Sequence, residues 1–257
     1  MTVKLHYETS GQGDPLVLIM GLGADNSLWE LHAKAYSQHF RCIMPDNRGA
    51  GSSPKPDGPY SAEMMARDTL AMMDDLEIDS ARLAGISMGS AIAQHMALLA
   101  PERVRSMVLV SSWARCDQYM KDVFENFMRI RPLVPPADFM QMLQLWIFAP
   151  NHFTSNYADL LVGRKDAADS PMADHAFDAQ CAACIDHDTL DRLGDIQTPC
   201  LLTVGDEDIF TPLRCSRELD DLLPNSELAI FPGQGHCHHW EDLKTFNETT
   251  TKFLLEN

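Results

Sequence analysis

The stretch Gly85-Ile86-Ser87-Met88-Gly89 constrains this chain more tightly than any other. It joins the short apolar run Ala81 to Ile86 to a helical pattern of small and apolar residues, in which Met88, Ile92, Met96 and Leu99 recur at helical spacing. Glycines two residues to either side of the serine let a strand fold straight into a helix. The serine at the tip is then held outward in strained geometry. That is how a hydroxyl, a weak nucleophile at its ordinary pKa, is presented to a substrate and a base.

Further short apolar runs repeat the theme. Pro15 to Met20, Phe40 to Met44, Val104 to Val110, Pro199 to Val204 and Glu227 to Phe231 are too short for helices and lack strict alternation, which predicts strands buried on both faces. Ser61 to Leu76, Pro212 to Leu223 and Trp240 to Leu255 read as helices between them. Alternation of this kind predicts an α/β fold, a mostly parallel central sheet flanked by helices. With 257 residues, one such domain is expected.

One region breaks the rhythm. Residues 113–193 show only helical patterns, interrupted by Pro132, Pro135, Pro136, Pro150 and Pro171. Met120, Phe124, Phe127 and Met128 form one stripe, and Phe139, Met140, Leu143, Trp146 and Ile147 another. The expectation is a core of residues 1–112 and 194–257 with a helical cap, 113–193, inserted over the strand ends.

Composition excludes several classes. A net charge of −17 is wrong for a partner made of phosphates, so no nucleic acid is expected. No apolar run is long enough for a membrane span, and the first residues lack signal-peptide character. Seven cysteines, an odd number without framework spacing, read as reduced thiols of a cytoplasmic protein. Cys181-Ala-Ala-Cys184 shares a helical face with Phe177 and Ile185, so core packing is expected rather than metal or redox chemistry. No phosphate-binding glycine loop or metal-ligand spacing occurs, and neither cofactor nor metal is expected. The partner is a small-molecule substrate; a homodimer stays open.

Two other motifs follow strands. After Val204 comes Gly205-Asp206-Glu207-Asp208, and after Phe231 comes Gly233-Gln234-Gly235-His236. In a parallel sheet the carboxyl ends share one edge, where ligands bind. Ser87, Asp208 and His236 thus form a candidate nucleophile, acid and base. Asp206 competes for the acid position, and Asp117 is a remoter alternative. His238 and His239 lie beside the base without a carboxylate at metal spacing. Backbone N–H groups of Leu22, in Gly21-Leu22-Gly23, and of Met88, at a helix start, are the candidate oxyanion donors. Gly21, Trp113, Trp146 and Ile209 are expected to line the substrate pocket.

These motifs together resemble the α/β-hydrolase-fold serine hydrolases. Met20-Gly21-Leu22-Gly23 is similar to that family's oxyanion loop, Asp46-Asn47-Arg48-Gly49-Ala50-Gly51-Ser52-Ser53 to its D-x-R-G-x-G-x-S turn, and Gly85 to Gly89 to its nucleophile elbow. Gly205 to Asp208 and Gly235-His236 match the acid and base turns. Met20 stands where many members carry histidine. The chain is most similar to small enol-lactonase and aminoacrylate or carbamate hydrolase groups. The resemblance implies a cap inserted after the sixth core strand and hydrolysis of small carboxylic esters or lactones through an acyl-Ser87 intermediate. Alternatives on the same residues are a carbamate or carbon–carbon bond hydrolase, peracid formation by attack of peroxide on the acyl-enzyme, and a small-molecule receptor reusing the fold.

Overall fold

The computed structural model describes residues 2–257. Its centre is a seven-stranded sheet of β1 (Tyr7–Ser10), β2 (Pro15–Ile19), β3 (Arg41–Pro45), β4 (Ala81–Ile86), β5 (Val104–Val110), β6 (Cys200–Gly205) and β7 (Ser226–Phe231). The spatial order is β1-β3-β2-β4-β5-β6-β7, parallel throughout except for β1 against β3. The order changes direction between β2 and β4, so the crevice outside their carboxyl ends is the switch point where such sheets place ligands.

Neighbouring residues of one strand serve opposite cores. Leu16 and Leu18 join Tyr36, Phe246 and Leu254, from α1 (Glu30–Tyr36) and α11 (Leu243–Glu256). Val17 and Ile19 join Met65 and Ile92, from α2 (Ala62–Asp75) and α3 (Met88–Leu99). Helices on both faces therefore remove the polar half of the alternation, which is why the inner strands are apolar without a break.

Between β5 and β6 the regular elements are helical: α4 (Gln118–Ile130), α5 (Pro136–Ile147), α6 (Pro150–Ser155), α7 (Tyr157–Asp169) and α8 (Asp174–Ile185), with two short 3-10 turns. A single bridge, Arg115 to Asp188, ties the entry of this insertion to its exit. The insertion follows the fifth strand rather than the sixth that the resemblance implied. Ahead of β1 the described residues add no strand; Val3 instead donates its N–H to Asp68 Oδ1 at 2.9 Å. After β6 come α9 (Leu213–Leu222), β7, α10 (His238–Glu241) and α11.

Two expectations change in detail. The edge strand β1, Tyr-Glu-Thr-Ser, has no apolar run to announce it and is half-buried at most. The helix expected from Trp240 to Leu255 is divided, because Asp242 leaves helical geometry and its carboxylate accepts Thr245 N–H to start α11. Cys181 and Cys184 are buried in the core, as their helical face predicts. No helix among the described residues is long and apolar enough to cross a membrane.

The turn after β3 rests on a buried ion pair. Arg48 Nε and Nη2 donate to Asp68 Oδ2 and Oδ1 at 2.6 and 2.7 Å, a two-pronged contact from which water is shut out. Asp68→Ala leaves the guanidinium buried without its carboxylate. Urea unfolding is expected to show a loss of about 3–5 kcal/mol, and a loss below about 1 kcal/mol would mean the pair is dispensable.

Candidate active site

Ser87 sits between β4 and α3 with φ 53° and ψ −116°, a conformation that a non-glycine residue adopts only under compulsion. The compulsion is packing. A Cβ on Gly85 would lie 2.3 Å from Gly89 O, and one on Gly89 would lie 2.1 Å from Ile19 O. The helix start is thus pressed against the ends of β2 and β4, as the glycine spacing predicts. Ser87 N–H donates to Val110 O at 2.8 Å, which anchors the elbow to β5.

Asp208 is built as an acceptor. Its Oδ1 takes the N–H groups of Phe210 and Thr211, both at 2.8 Å, and its Oδ2 takes the Thr211 hydroxyl at 2.8 Å. His236 Nδ1 lies 2.9 Å from the same Oδ2. Burial pushes the Asp208 carboxyl up, but the facing imidazole and these hydrogen bonds outweigh it and hold the pKa below the ordinary value. The pair is thereby set with an ionised carboxylate on Nδ1, leaving Nε2 as the free face of the ring.

The base loop is fastened from several sides. Ser111 Oγ donates to His236 O at 2.8 Å, and Phe210 packs its ring 4.9 Å from the imidazole. Phe210 in turn meets Phe124 and Phe127 of α4 at 5.2 and 5.6 Å. Cys237 N–H donates to Ile147 O at 2.9 Å, and the Glu241 carboxylate accepts Ala149 N–H and Gly235 N–H at 3.0 and 3.1 Å. The inserted helices therefore hold the imidazole loop directly.

Ser87, Asp208 and His236 all lie at carboxyl ends of parallel strands and are 6, 4 and 4 % exposed. Among the described residues the Ser87 hydroxyl makes no hydrogen bond to the imidazole. Serine–imidazole contacts of this kind are often long in the resting enzyme and tighten when substrate binds. Gly21 lies beside the elbow, where an added Cβ would be 3.3 Å from Ser87 Cβ. Leu22 follows it, and Met88 is the first residue of α3, whose N–H has no partner within the helix. The Met20 carbonyl accepts Asn47 Nδ2–H at 2.8 Å, so a side chain of the β3 turn braces this loop from below.

The other candidates fall as follows. Asp206 accepts Gly233 N–H and holds the β6 and β7 turns together, away from the imidazole. Asp117 caps α4 by accepting Met120 N–H at 2.9 Å and pairs with Arg214. Trp113 is fully buried against Phe124 and His187. Trp146 packs on Phe127 and Tyr119. Ile209 is 50 % exposed, and its neighbour Phe210 is buried against the His236 ring. His238 and His239 are buried in a polar chain: His238 Nε2 faces Thr203 Oγ1 at 2.9 Å, and His239 Nδ1 faces His32 Nε2 at 3.1 Å.

Sequence reasoning missed Thr211, Phe210, Ser111 and Glu241. Thr211 alone left a trace, an Asp three residues ahead of a Thr-Pro helix start. The other three act through contacts 26 to 125 residues away in sequence or through backbone groups, for which no local signal exists.

Comparison with known proteins bears on the family and the fold. Residues 14–243 match the family model described as the alpha/beta hydrolase fold. A protein from Azorhizobium caulinodans, provisionally named carbamate hydrolase RutD, is 30 % identical over 98 % of this chain and 95 % of its own length. The crystal structure of a Mycobacterium tuberculosis protein provisionally named non-heme bromoperoxidase BpoC superposes with a TM-score of 0.90 at 28 % identity, covering 100 % of this chain and 97 % of that one. The enol-lactonase of Burkholderia xenovorans superposes equally, TM-score 0.90 at 25 % identity, covering 98 and 96 %.

Buried imidazoles make stability depend on pH. Burial lowers the pKa of His32 to about 4 and of His187 and His238 to about 3, and drives that of His239 well below its ordinary value. Below about pH 6.5 the unfolded chain takes protons that the native state refuses, so stability falls as pH drops towards 4, by up to about 1.36 kcal/mol per unit for each group. Urea midpoints at pH 7.5, 6 and 5 are expected to decline steadily. A flat series would show that these rings take up protons in the fold as readily as in the unfolded chain.

Proposed function

The chain belongs to the α/β-hydrolase-fold family, and we propose that it is a serine hydrolase of small carboxylic esters or lactones, working through an acyl-Ser87 intermediate. The observation that carries this reading is the buried 2.9 Å contact of Asp208 Oδ2 with His236 Nδ1, on the same sheet edge as a serine forced into a strained turn.

Each step is assigned to one group. Ser87 Oγ attacks the acyl carbon and its proton passes to His236 Nε2. Asp208 holds the ring with Nδ1 protonated and stabilises the imidazolium. The tetrahedral oxyanion is received by the N–H groups of Leu22 and Met88, the second reinforced by the dipole of α3. Collapse breaks the carbon–oxygen bond, and the leaving alkoxide takes the proton from His236. Water then repeats the sequence on the acyl-enzyme, releasing the acid and restoring the serine. For a lactone, both products stay joined as one hydroxy acid.

A second reading, carbamate hydrolysis, draws support from the RutD relative. There His236 with ordered water carries the chemistry and the serine need not acylate. The two readings part on one comparison. With esters, Ser87→Ala and His236→Ala should each lower kcat for p-nitrophenyl acetate by on the order of 10⁴- to 10⁶-fold, and a fluorophosphonate should label Ser87 alone. On a carbamate, a modest loss in Ser87→Ala beside a large loss in His236→Ala supports the second reading. Full esterase rate in a folded Ser87→Ala protein refutes the acyl-enzyme.

A further inference from the structure

The inserted helix α8 reaches the site through one fully buried side chain, Gln180. Its Oε1 accepts Gly23 N–H at 2.9 Å, and its Nε2 donates to Arg48 O at 2.9 Å. These partners lie 157 and 132 residues away in sequence, on the loop after β2 and the turn after β3. The rest of this helix face is moulded to the same loops. Phe177 lies 3.3 Å from where a Cβ on Gly23 would stand, and Ala176 lies 3.2 Å from where one on Gly49 would stand. Both glycines have positive φ, 72° and 89°, so the backbone approaches the helix in a form that side chains would forbid.

We propose that Gln180 is a positioning residue: by tying down the Leu22–Gly23 peptide from the inserted helix, it aims the Leu22 N–H at the oxyanion. The inference rests on the reading of Leu22 as an oxyanion donor. Gly23 N–H belongs to the peptide whose carbonyl is Leu22's, so the tether fixes that peptide plane. Among the described residues this N–H has no sheet or helix partner to hold it instead. A glycine at φ 72° is also the most freely turning joint in the loop. The carboxamide suits the task because it accepts from one loop and donates to the other, joining both to α8 without burying a charge. The consequence is a link between the insertion and catalysis. Seating α8 sets the transition-state donor, whereas ground-state binding does not depend on the tether.

Donor placement affects the transition state more than the bound substrate. Losing an oxyanion donor outright costs about 10²–10³ in kcat, so a loosened one should cost roughly 10- to 100-fold. Gln180→Met keeps the length without either hydrogen bond, and Gln180→Asn draws the amide back by one methylene. Both are expected to lower kcat for p-nitrophenyl acetate roughly 10- to 100-fold, with KM changed less than about threefold. The inhibition constant of butylboronic acid, which forms a tetrahedral adduct on the serine, should weaken by the same factor as kcat/KM. In the wild-type protein the Gly23 amide should exchange slowly with solvent. A variant of wild-type Tm whose kcat and boronate affinity stay within about twofold overturns the proposal, as does loss confined to KM or a rapidly exchanging Gly23 amide. Ser87→Ala separates this outcome from failure of the underlying reading. If that variant is inactive, the serine mechanism stands whichever way Gln180 falls; if it is active, the oxyanion role falls with it.

Discussion

Everything at this site depends on the approach of Gly89 to the end of β2, so close that a Cβ would stand 2.1 Å from Ile19 O. That contact presses the first turn of α3 against the strand end and leaves Ser87 no conformation but the strained one observed. It also brings the loop after β2 alongside the elbow, so that Ser87 and the Gly21-Leu22 backbone are set by a single piece of packing. Strain of this kind costs about 1–3 kcal/mol per residue and persists only where the surroundings over-determine it. Here they do: sheet hydrogen bonds on both sides of β4 and the two apolar cores leave the chain no slack.

Two buried carboxylates at the site follow the complementary rule, that a buried charge is satisfied by donors. Asp208 meets it with two backbone donors, a hydroxyl and an imidazole. Asp46 meets it likewise, accepting Asn26 N–H and Ser52 N–H at 2.8 Å each and facing His6 Nδ1 at 3.0 Å. Satisfied carboxylates of this sort serve as rigid pegs, because moving one would strand several donors together. Asp208 and the β3 turn are therefore held by hydrogen bonds where the core is held by apolar packing.

The inserted helices are joined to the site by polar as well as apolar contacts. Glu241 and Cys237 connect the end of α5 to the imidazole loop, while Phe124 and Phe127 pack on the aromatic ring that meets that imidazole. Burial raises the pKa of Glu241, partly offset by the two N–H groups it accepts, so the bridge is electrically costly and its retention needs a structural return. That return is a base loop whose backbone is fixed at both ends.

The amino-acid sequence spells out the inner strands, the elbow and the order of Ser87, Asp208 and His236. Each of these is written in local terms: short apolar runs for buried strands, paired glycines for a turn no other residue fits, and turn residues after strand ends. It did not reveal β1, whose edge position leaves one face in water and removes the apolar run that marks the inner strands. Nor did it mark Phe210 as the residue that packs on the His236 ring, since adjacent residues of a turn differ only in which way the chain rotates them. Thr211 and Ser111 beside His236, and Gln180 and Glu241 between the insertion and the loops of the core, find their partners through the fold alone. A side-chain amide or carboxylate reads as ordinary surface polarity in sequence, and its partner is chosen when folding brings a distant backbone group within about 3 Å and removes the water between them.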